Sequence, residues 1–155
     1  MNTVAERENK RVFAENEETL LNECMKSLLL GMQSLDVVEK VAVGELNSYV
    51  KQLMGEYSAV SERVSTQMKN LDIDPDIYGS LKQKWQKNMV KLSIFGDKSN
   101  SNIAEKLIKG TNMGITDLTR SLHNNALSVS AETETIARDT LSLFSGSVEA
   151  LKKFL

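Results

Sequence analysis

The sequence predicts an all-α protein, an antiparallel up-down bundle of long amphipathic helices with one shorter accessory helix. Three observations carry this. Apolar residues recur at alternating steps of three and four along most of the chain, the spacing that gathers them on one stripe of a helix. The single proline and 5% aromatic content, amid plentiful Leu, Glu, Lys and Met, suit helices rather than sheets. The breaks between periodic segments are about four to eight residues long, and short links between long helices favour antiparallel neighbours. At 155 residues the chain fits one domain. A domain of this size buries about 70% of its unfolded surface without help from disulfide or metal. Residues 1–14 read as a polar segment able to extend the first helix, and residues 15–155 as the bundle domain.

The first helix is expected over 15–34, with Leu21, Met25, Leu28, Met32 and Leu35 on one stripe and Phe13 on the flank with Leu20 and Cys24. Leu30 points away from that stripe, as a second packing surface or an exposed leucine. A second helix is expected over 36–70. Asp36 stands three residues before Glu39 in a capping-box arrangement. Leu46, Val50, Leu53, Tyr57, Val60 and Val64 form the stripe, Leu71 continues it, and Gly44 and Gly55 are candidate bend points. Asp74 as N-cap and Pro75 at the first helical position open the accessory helix over 75–94, with Tyr78, Leu81, Trp85, Met89 and Leu92. After "FGDKSNS", a helix over 100–124 carries Ala104, Ile108, Thr111, Ile115, Leu118 and Leu122. The last helix, over 130–154, carries Ala137, Leu141, Phe144, Val148, Leu151 and Leu155.

Gly110 and Gly114 lie inside the helix expected over 100–124, where each costs about 1 kcal/mol relative to alanine. In an apolar segment this spacing would mark a membrane helix pair. Here Glu105, Lys106, Lys109, Asp117 and Arg120 surround it, and nowhere does the chain hold about 18 consecutive apolar residues. The expected role is close helix packing, with room for a large side chain such as Trp85 or Phe144.

Charge and motifs narrow the function classes. A net charge of −2 gives no general basic excess for nucleic acid. Lys82, Lys84, Lys87 and Lys91 surround Trp85 and could touch an acidic membrane, an acidic partner or a phosphate backbone, although a solvated lysine face over a core tryptophan is the simpler reading. Cys24 is the only cysteine, so no internal disulfide forms, which fits a reducing cytoplasm. "MNTVAERENKRVF" lacks the apolar run of a secretory signal. Asp72, Asp74 and Asp76 alternate as in a calcium loop, but Ile77 stands where the turn glycine belongs and Gln83 where the bidentate glutamate belongs, so helix capping explains them better. No dinucleotide or P-loop glycine pattern occurs, and Cys24 has no signature of an activated thiolate.

The segments "NECMKSLLLGMQSLD", "NIAEKLIKGTNMGITDLTRSL" and "EALKKFL" resemble a family of uncharacterised bacterial proteins with a ferritin-like four-helix bundle. The resemblance spans residues 17–155, with "KGTNMGITDLT" its most distinctive part, and it implies a fold without an activity. Di-metal sites in such bundles need Glu-x-x-His on two helices and a glutamate on each of the others. This chain has one histidine, His123, preceded three residues earlier by Arg120. His123 reads as a surface or capping residue near a helix C-terminus. A carboxylate-only metal site would draw on Glu39, Glu56 and Glu134, with Glu17 and Glu18 at a stripe edge. The expectation is a non-catalytic interaction or structural protein with no cofactor, acting through a protein partner or self-association near Leu30. The alternative is a carboxylate-only metal-binding, ferritin-like protein.

Overall fold

The buried stripe of the first helix continues without a break through Leu35 and Val38, and the helix continues with it. The computed structural model describes residues 3–74 and 96–155. Helix α1 spans Val4–Glu39, α2 Gly44–Asn70, α3 Asn100–Asn125 and α4 Ala131–Leu151. Single 3₁₀ turns follow at Ala126–Ser128 and Lys152–Phe154, and no strand occurs among the described residues. The accessory helix expected over 75–94, with Trp85, Lys82, Lys84, Lys87 and Lys91, lies outside the described residues.

The helix expected to start at Asp36 does not start there. Asp36 lies inside α1 and pairs with Lys40 at 3.4 Å, an i,i+4 contact that resembles a cap only in its residue types. The turn falls at residues 40–43 instead, and Gly44 takes a φ of 59° at the first position of α2. Glycine reaches that region freely where a side chain would be strained, so Gly44 serves a sharp turn and not a bend within a helix. At its other end α2 closes in a Schellman motif. Ile73 N–H donates to the Met68 carbonyl at 2.9 Å and Asp72 N–H to that of Lys69 at 3.2 Å, with Asp72 at φ 53°.

α1 starts far outside the bundle. Thr3 accepts a bond from the Glu6 backbone while the Glu6 carboxylate accepts from Thr3, a complete capping box. Residues 3–15 are exposed throughout, and the buried face begins at Glu17. The arm projects about 20 Å at 1.5 Å per residue.

Cross-helix contacts set the direction of each helix. Asn47 of α2 donates to the Glu39 carbonyl at 2.8 Å, and Tyr57 faces Gly31, so α1 and α2 run oppositely. Along α2 and α4, Glu45 pairs with Lys153, Arg63 with Asp139, and Gln67 with Thr133, again opposite directions. α3 and α4 are joined by a short link and also run oppositely, with Gly114 against Phe144. α2 and α3 differ. Val43 and Asn100 exchange two hydrogen bonds, of 3.2 and 2.9 Å, at the start of both helices, and Tyr57 reaches Thr111 further along. These two helices run the same way. Residues 71–99 lead from the end of one to the start of the other.

The core fills with Leu20, Leu21, Leu28, Leu46, Val50, Leu53, Val64, Leu118, Ile136, Phe144 and Leu151. Each such side chain contributes roughly 1.5–3 kcal/mol on full burial. Leu71 and Leu155, at the ends of their expected stripes, are exposed. Leu30 is half-buried, as are its neighbours Leu29 and Gly31.

Candidate functional site

Two polar constellations sit inside the bundle, one at its end and one near its middle. The first gathers at the N-terminus of α4, where helix geometry leaves backbone N–H groups without partners. Ser130 is the N-cap, its hydroxyl accepting from Thr133 N–H at 3.3 Å. Glu17 comes from α1 with only 2% exposure. One of its carboxylate oxygens accepts from the Ser130 backbone N–H and the other from the Thr133 hydroxyl, both in short hydrogen bonds. Gln67 of α2 completes the group, its amide nitrogen donating to Thr133 Oγ1 at 3.2 Å and Ser130 Oγ at 3.4 Å. A buried carboxylate at a helix N-terminus is stabilised by the helix dipole and by charge-assisted hydrogen bonds. Both oxygens of Glu17 are engaged, and three helices meet in the network.

The second constellation surrounds Tyr57. Its ring packs on Phe144 with centroids 5.3 Å apart and fills the space that the missing side chain of Gly31 leaves open. Its hydroxyl reaches Ser147 and Thr111, and burial pushes its pKa up to about 12. Cys24, on α1 seven residues before Gly31, is fully buried. Burial pushes its thiol up to about 12, only partly offset by the side-chain hydrogen bond with Thr140. A thiol this far above neutral pH is not a nucleophile.

These shifts set an alkaline limit. Cys24 and Tyr57 keep their protons in the folded chain to about pH 12, whereas the unfolded chain releases them around the ordinary 9.0 and 10.0. The unfolded state then binds fewer protons, so stability is complete below about pH 9 and falls as pH rises toward 12. At about 1.4 kcal/mol per unit, Cys24 alone should cost on the order of 2–4 kcal/mol at pH 12. Denaturant midpoints followed by circular dichroism from pH 8 to 12 check this, with Cys24→Ala flattening the decline. At pH 8, a thiol reagent should label native Cys24 only after denaturant is added.

The metal candidates do not come together. Glu39 ends α1 and lies 3.9 Å from Lys51. Glu56 is exposed on α2 and accepts from Gln52 at 2.9 Å; with burial, which is the larger cause, its charge raises the Tyr49 phenol. Glu134 opens α4 at the opposite end of the bundle from Glu39 and pairs with Arg138 at 2.8 Å. Among the described residues no group of three or more His, Cys, Asp or Glu side chains is placed to hold a metal ion. These carboxylates do not fit the inward cage of a di-metal bundle.

No protein family, curated protein or solved structure matches this chain.

His123 is exposed in the last turn of α3, beside Arg120 and Thr116 on a surface depression of about 520 Å³. Of the glycine pair, Gly114 lies against the Phe144 ring, where a Cβ would stand 3.4 Å away, and Gly110 is exposed with no described atom within 4 Å of that position. Among the described glycines the tightest is Gly31, which carried no signal beyond its place in an apolar helical run. No described helix is long and apolar enough to cross a membrane. Glu17 was legible as a stripe-edge acid near its own helix start, but its role lies at the start of α4.

Proposed function

We propose that this chain is a non-catalytic, ferritin-like helical-bundle protein that acts by holding a protein partner or a second copy of itself. The observation that carries this reading is the fate of the buried carboxylate. Glu17, the one buried acid among the described residues, has both oxygens committed to Ser130 and Thr133 as a structural joint. Glu39, Glu56 and Glu134 stand apart on three helices, each beside a polar or cationic neighbour. The ferritin-like reading draws on the course of the chain, with α2 and α3 parallel and one long connection between them, the single-crossover topology of that class. The buried free thiol of Cys24 suits a cytoplasmic setting. The near-neutral charge balance favours protein over nucleic acid as partner.

Elemental analysis of the purified full chain tests the reading. The expected result is substoichiometric iron, manganese and zinc after dialysis. One or two equivalents of any of them, lost on substitution of Glu39, Glu56 or Glu134, would replace it with the metal-binding alternative.

A further inference from the structure

The outward face of α3 carries a combination that the packing of the bundle does not explain. Met113 is 69% exposed there. Gly110, a poor helix former in the middle of the same helix, meets no described atom where a side chain would begin. At about 100° per residue, Met113, Lys106, Asp117 and Arg120 face away from the buried stripe of Ala104, Leu107, Leu118 and Leu122, with Gly110 on their flank. Glu105, Lys106 and Lys109 precede Met113 on this side of α3 and Asp117 and Arg120 follow it, so acids and bases lie on both sides of the methionine. Glu105 lies eight residues before Met113 and Arg120 seven after it, while Lys106 and Asp117 fall on its other side, one before and one after.

We propose that this face of α3 joins two copies of the chain in an antiparallel, isologous contact with the two-fold axis at Met113. This rests on the interaction-protein reading and names a second copy as the partner. In such a contact every pairing occurs twice. Each Glu105 meets the partner's Arg120, each Lys106 approaches the partner's Asp117, and the two Met113 side chains pack beside the open backbone at Gly110. Within one chain Glu105 accepts from Lys109 at 2.6 Å and Asp117 from Arg120 at 3.5 Å, exposed local pairs that the contact exchanges for pairs between copies. A phosphate backbone would meet Glu105 and Asp117 in the same patch, and a membrane would find one apolar side chain, so another copy with matching charges is the better occupant.

Light scattering and sedimentation velocity on the full chain test the contact across micromolar to submillimolar concentration. The expected result is a dimer that weakens as salt rises. Met113→Glu should give a monomer with unchanged circular dichroism and melting. Glu105→Arg or Arg120→Glu alone should weaken association roughly tenfold, and the two together should restore it. A wild-type monomer at every concentration, a dimer indifferent to Met113→Glu, or a double swap without rescue would overturn the contact. A monomer free of metal rejects the contact and leaves the interaction reading standing; stoichiometric metal in a confirmed dimer does the opposite.

Discussion

Gly31→Ala is expected to destabilise the fold by about 2–3 kcal/mol and to lower the melting temperature by roughly 5–10 °C. A Cβ at this position would stand 2.4 Å from Tyr57 Cε2 and 3.0 Å from Cδ2, the body of a ring and not the tip of a flexible chain. The ring has little room to move, since Phe144 packs against it and it is buried in the core. Alanine's better helix propensity recovers only about 1 kcal/mol. Gly55→Ala is the control: the same change on exposed helix with nothing within 4 Å should stabilise by up to about 1 kcal/mol. Chemical denaturation of both variants, and of Gly31→Ala combined with Tyr57→Leu, measures the clash. The combined variant should lose less than the sum of its parts, because the second change removes the atoms that the first one strikes.

Glu17→Ala is expected to cost about 2–4 kcal/mol, since it strands the Ser130 N–H and the Thr133 hydroxyl in a buried place while removing their charged acceptor. Glu17→Gln should cost about 1–2 kcal/mol, keeping one acceptor oxygen but turning an NH₂ group toward a donor. Equilibrium denaturation gives both values. A double-mutant cycle with Thr133→Val should show coupling above about 0.5 kcal/mol, which an independent surface acid would not show.

Much of the helical layout could be read from residue spacing, because burial enforces the step of three and four that makes a stripe. Leu21, Met25, Leu28 and Leu35, and likewise Leu46, Val50, Leu53, Tyr57 and Val64, are buried where the spacing put them. Boundaries were harder. Asp36 and Glu39 have the residue types and separation of a cap, but Leu35, Val38 and Ala42 carry the buried stripe across them, and burial outweighs a surface hydrogen bond. The site residues were least legible. Glu17, Gln67 and Thr133 become one network only through contacts 63 to 116 residues apart in sequence, which local periodicity does not encode. Gly31 and Gly110 look alike in the sequence, yet one faces a buried ring and the other open space.

The joint between Glu17 and the first turn of α4 also times the birth of the protein. Its partners are 113 and 116 residues downstream. During synthesis the hairpin of α1 and α2 leaves the ribosome with Leu20, Leu21 and Cys24 still awaiting their final cover, and its acid waits for a helix not yet translated. Closing so long a loop is entropically slow to be rewarded. Until that helix emerges the nascent hairpin carries uncovered apolar surface, the state in which chaperone demand and aggregation risk are greatest.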